Sequence, residues 1–156
     1  MDIFSGSGVT GCFSKAGLKI ATGSKLGVGL GAPNGAGTDY AINGIAYHKA
    51  DAAEFSFTAA ATQAAGTSCL YLVQIDAAGT VSSVKGEEVA TSGETVPSSG
   101  LQCPMPSQDN CPLGYVRIDT SSSVTFTAGT TALDAAGITD TYVDFIGGLP
   151  GRPVAS

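Results

Sequence analysis

His48 is the only histidine in the 156-residue chain. Any Ser-His-Asp or Cys-His relay would have to run through it. It stands beside Lys49 with no nucleophile signature around it, and reads as a partly exposed side chain rather than a general base. The chain has four cysteines, and Cys103 and Cys111 bracket the run CPMPSQDNC. A bridge between those two would clip a loop and lower its entropy when unfolded; bridged and free states both stay open. A structural zinc site needs about four ligands, and no second close pair of cysteines accompanies this one. Cys12 and Cys69 are isolated, and Cys69, inside an apolar run, reads as a small core residue. Among the carboxylates, Glu87-Glu88, Asp140 and Asp144 have no spacing that selects a facing pair for glycoside hydrolysis or a calcium site. Gly6-Ser7-Gly8-Val9-Thr10-Gly11 matches G-x-G-x-x-G, but without the strand before it and the helix after it that give the motif meaning. The expectation is a protein that is not an enzyme, with no catalytic residue, no cofactor and no bound metal.

The elements that would position such residues have an unusual texture. Hydrophobic residues make up 43% of the chain and charged residues only 13%, with no tryptophan, against roughly 25% charged in typical soluble domains. Such a surface repels little and suits packing into an assembly; an Ala/Thr-rich soluble β-protein has the same composition. The net charge of −6 is uneven. Residues 1–37 carry Lys15, Lys19 and Lys25 against Asp2, a net +2, and the remaining four basic and twelve acidic residues leave −8. An acidic body argues against nucleic acid, whose phosphates call for clustered Lys and Arg. No run reaches the roughly 18 apolar residues of a membrane span. The start, MDIFSGSGVTGCF, lacks the basic and apolar regions of a signal peptide. The expected setting is a cytoplasm, where thiols stay reduced by default.

Residues 1–37 are dense in glycine and punctuated by Phe4, Val9, Phe13, Leu18, Ile20, Leu26, Val28 and Leu30. Glycine at this density makes ordering costly, yet the large apolar side chains are too many for an idle linker. The stretch reads as an extended arm that orders on a partner, with those eight residues as the interface. The plainer alternative is that it adds edge strands or loops to its own domain. Ala32-Pro33-Asn34-Gly35-Ala36-Gly37 ends it as a turn or linker.

Residues 38–146 read as a β-domain. Asn43-Gly44 is a two-residue hairpin signal, pairing Tyr40 and Ile42 with Ile45 and Tyr47. Glu54–Thr58 alternates as a strand, and Ala59–Ala65 reads as a helical turn or a loop. The central hairpin runs from Cys69–Ile75 through Asp76-Ala77-Ala78-Gly79 to Thr80–Val84; its first arm is apolar on both faces, which predicts burial on both sides. Residues 90–112 hold Pro97, Pro104, Pro106 and Pro112, so a long surface loop without a regular ladder is expected. Leu113–Thr120 and Val124–Thr127 read as a hairpin pair, Asp140–Phe145 as the last strand, and 147–156 as an extended or disordered tail. Many short strands with no helix of three turns predict an all-β fold, a small sandwich or partly open barrel of antiparallel strands.

From about Ile42 to Phe145 the order NGIAYHKADAAEFSF, TQAAGTSCLYLVQIDAAGTVSSVKG, CPLGYVRIDT and FTAGTTALDAAGITDTYVDF resembles small structural proteins of tailed bacteriophages, most closely capsid decoration (cement) proteins. The resemblance implies a virion protein on the capsid surface, assembled in the host cytoplasm. It further implies a homotrimer that stabilises the shell by bridging subunits of the major capsid protein. No residue role carries over with it. The alternative is a tail or head-fibre component, or a receptor- or glycan-binding module using the loop at 90–112.

Overall fold

A computed structural model describes residues 8–91 and 100–147. Asn43 and Gly44 take φ of 52° and 81°, the doubly positive pair whose twist suits a two-residue hairpin. They join β4 (Thr38–Ile42) to β5 (Ile45–Lys49), with Ile42 opposite Ile45 and Tyr40 opposite Tyr47. The other tight hairpin joins β7 (Thr67–Asp76) to β8 (Val81–Lys85). Its turn is built by Asp76, whose Oδ1 accepts the amides of Ala78 and Thr80, while Gly79 takes φ 79°.

β7 is also the partner of β10 (Asn110–Thr120), and β10 carries β11 (Ile138–Asp144) on its far edge. With β9 (Val89–Ala90) on β7, these strands form a five-stranded antiparallel sheet. Opposite it lie two three-stranded antiparallel sheets. One is β1 (Gly11–Cys12) with β4 and β5; the other is β2 (Leu18–Ile20), β3 (Gly27–Leu30) and β6 (Ala52–Ser56). Their inward residues Cys12, Leu18, Val28, Leu30, Tyr40 and Ile42 share one core with Cys69, Tyr71, Val73 and Ile75 of β7 and with Val116 and Ile118 of β10. At its centre the rings of Phe57, Tyr71 and Phe126 meet with centroids 5.4 to 6.2 Å apart. The fold is all-β and layered as a small sandwich; among the described residues there is no helix, and no sheet closes into a barrel.

The second face of β7 is buried too. Leu70, Leu72 and Gln74 are inaccessible to solvent or nearly so, and the segment before β10 folds against them. Ser107 donates its amide to Gln74 Oε1 at 2.8 Å and accepts from Gln74 Nε2 at 2.9 Å. Tyr115, opposite Leu72 in the ladder, packs on Phe145 with centroids 5.9 Å apart.

Three expectations are corrected. Leu113–Thr120 does not pair with Val124–Thr127, because β10 already has β7 on one edge and β11 on the other; Phe126 forms only an isolated bridge with Gln63. The loop expected through residue 112 ends earlier. β10 takes in Pro112, and the register with β7 shifts between Pro112 and Gly114, so the missing proline amide falls beside a bulge. Finally, residues 8–37 are not an arm apart from the body but three of its strands. Several of their glycines serve close backbone approach rather than freedom. A Cβ on Gly27 would stand 2.0 Å from the Phe55 carbonyl oxygen, and Gly17, at φ 65°, lies equally close to the Gly31 carbonyl. Between Ala59 and Ala65 the chain makes no helical turn.

Candidate interaction surface

The eight apolar residues expected to meet a partner divide into two groups. Leu18, Val28 and Leu30 are buried in the chain's own core, with Ile20 packed against it and Leu26 half-buried. The backbone fastens them there: Leu18 donates its amide to Asp144 Oδ1 at 2.9 Å, and Lys25 accepts the Leu133 amide at 2.8 Å. Val9 and Phe13 stay outside, 64% and 59% exposed. Phe4 lies outside the described residues.

Strand alternation explains the division. Cys12 faces the core, so its neighbours on β1 face outward. Phe13 donates its amide to the Asp39 carbonyl at 2.8 Å, which keeps it on the β4 ladder, while Cys12 exchanges two backbone hydrogen bonds with Gly147 on the other side. Antiparallel pairing of Cys12 with Gly147 sets Ile146 beside Phe13 on the outer face, where Ile146 is 64% exposed. At the other end of β1, the Val9 carbonyl accepts the Gly44 amide, which brings Val9 to the turn that leads into Ile45, itself 60% exposed. Phe13 and Ile146 thus make one apolar point on the outer face, and Val9, about 13 Å away at the usual rise of an extended chain, reaches the hairpin end near Ile45, which sits on the face of its partner Ile42. Exposed Lys15 follows Phe13 in the chain. Asp39 and His48 pair across β4 and β5, with His48 Nδ1 2.8 Å from Asp39 Oδ1 and both side chains about half exposed.

Ile45 and Ile146 were missed as surface residues in the sequence. Ile45 looks like a strand residue paired with buried Ile42, and only its place at the hairpin end exposes it. Ile146 stands before a Gly/Pro-rich tail, and its neighbour is set by a bridge to a residue far away in the chain.

The cysteines fall differently from their spacing. Cys111 lies opposite Ile75 in the β7 ladder and faces the core. Ser107, between Cys103 and Cys111, is held on the other face of β7 by Gln74. Cys103 is half-buried there, and its thiol is pushed up to about 11 by burial. The sulfur that Cys111 meets is that of Cys12, at 3.7 Å. Burial likewise pushes the Cys69 thiol up to about 11. Among the described residues, no three His, Cys, Asp or Glu side chains gather as a metal site would need.

No protein-family model matches this chain, and neither a curated protein nor a solved structure does.

Proposed function

We propose that this chain is a viral structural protein that decorates a capsid and stabilises it by bridging neighbouring subunits of the major capsid protein. The observation that supports this reading is Phe13 beside Ile146 on the outer face next to β1, with Val9 and Ile45 at the strand's other end, all four more than half exposed. Apolar residues grouped on a surface favour a protein contact, and the low charge of the chain leaves little repulsion to oppose close packing. The likeness to phage decoration proteins in residues 42–145 supplies the partner. Burying each of the four side chains contributes roughly 1.5–3 kcal/mol before the cost of association. In a homotrimer, three copies of the patch would act together on a symmetric lattice and raise the avidity.

The test is sedimentation of the purified full chain with capsids of the encoding virus assembled without it. Saturable pelleting at a fixed ratio to the major capsid protein is the expected result, with a mass in solution of three chains. A chain that stays in the supernatant at every concentration would overturn the reading.

A further inference from the structure

We infer that Cys12 and Cys111 are a built redox pair, which closes to a disulfide fastening β1 to the central sheet. This goes beyond the capsid reading and does not depend on it. The two sulfurs lie 3.7 Å apart, with both residues almost wholly buried and both in the same core. Their backbones are held from both sides. Cys12 is paired with Tyr40 on one edge and bonded to Gly147 on the other, and Cys111 lies in the β7 ladder. Bond formation needs the sulfurs to close to about 2.05 Å. Both thiols point at a single oxygen, the Pro112 carbonyl, at 3.3 and 3.8 Å, so closing the bridge releases one shared acceptor rather than two.

The oxidant is a small-molecule disulfide of the glutathione class. The Cys111 thiolate attacks one sulfur of the oxidant and releases one glutathione thiol, leaving a mixed disulfide. Cys12 then loses its proton and attacks the Cys111 sulfur, releasing the second glutathione. Two protein thiols are oxidised, one glutathione disulfide is reduced to two thiols, and the two protons end on them. The order follows from the contact between the pair: the hydrogen bond with Cys12 holds the Cys111 thiol below its ordinary range, and the same bond and burial raise Cys12. The loop closed runs from residue 12 to residue 111, the longest that any two of the four cysteines, at 12, 69, 103 and 111, can close while still including Cys12, and long loops gain most from a cross-link in the chain-entropy account.

Access to buried sulfur does not limit the test if the full chain is unfolded in guanidinium and refolded in reduced and oxidised glutathione. The expected product has two alkylatable thiols in place of four. Tryptic peptide 1–15 should be joined to peptide 86–117, and cyanogen bromide cleavage at Met105, which separates Cys103 from Cys111, should leave the link on the Cys111 side. The oxidised form should melt about 6–12 °C above the reduced form. Cys103→Ala should keep the link, and Cys12→Ala should lose it. Four alkylatable thiols after refolding to the native fold, or a link that uses Cys103, would overturn the inference.

Discussion

The β7–β10 ladder and the β1–β4–β5 sheet both draw on Ile, Tyr and Cys, but they use them differently. Nine of the ten residues of β7 are buried, because the two small sheets cover one of its faces and the segment before β10 covers the other. The β1–β4–β5 sheet is covered on its inner face, by the core, while Val9, Phe13, Ile45 and Ile146 meet solvent. Apolar area in the first region is already committed to folding. In the second it remains available to a partner, so substitutions there should separate stability from binding.

The sharpest way to break this comparison is to remove the strands that link the two regions. A chain lacking residues 1–30 loses Cys12, Leu18, Val28 and Leu30 from the core, and it should show no cooperative transition in urea followed by circular dichroism. A truncated chain that unfolds cooperatively would return these residues to the role of a separable arm. Next in size, Phe126→Ala removes a ring packed on both Phe57 and Tyr71 and should cost about 3–5 kcal/mol. Phe13→Ala should stay within about 0.5 kcal/mol in the same urea titration. Gly44→Ala places a side chain at φ 81° and should cost about 1 kcal/mol, read as a lower urea midpoint with an unchanged slope.

Glu88 carries a modest effect that depends on pH. Burial acts to raise its pKa, but hydrogen bonds from Lys85 and the Ala64 amide outweigh burial and hold it below the ordinary 4.5. A lowered folded pKa means that stability is present above the unfolded value and is lost as pH falls through the folded one. Glu88→Gln should therefore cost about 0.5–1 kcal/mol at neutral pH, and the difference should fade in urea titrations well below pH 4.5.

What could be read in the sequence was local. Asn43-Gly44 and Asp76–Gly79 specify their turns through backbone conformation and a side-chain cap, so both hairpins and their registers follow from a few adjacent residues. The two-sided burial of β7 was legible in its unbroken apolar run. The role of the N-terminal glycines was not, since a glycine needed for freedom and one needed for close approach are the same letter; only the nearness of Gly27 to Phe55 and of Gly17 to Gly31 distinguishes them. Long-range pairing was also hidden. Val124–Phe126 alternates like a strand, but whether β10 has a free edge for it depends on β7 and β11. Gln63, between alanines and threonine, carries no signal. It proves to be a wholly buried hub that donates to the Thr67 and Ile118 carbonyls and faces the Tyr71 hydroxyl. In the candidate surface, Val9 and Phe13 were visible as apolar residues of the N-terminal stretch, whereas Ile146 joins them only through the bridge between Cys12 and Gly147.

The most direct measurement is the binding isotherm of the full chain on capsids, taken for the wild type and for Phe13→Asp combined with Ile146→Asp, with the urea midpoints of both proteins measured alongside. Two lost apolar contacts should weaken binding by about 100-fold or more while the urea midpoint stays near that of the wild type. Unchanged capsid binding by a folded double variant would contradict the assignment of the outer face of β1 as the contact surface.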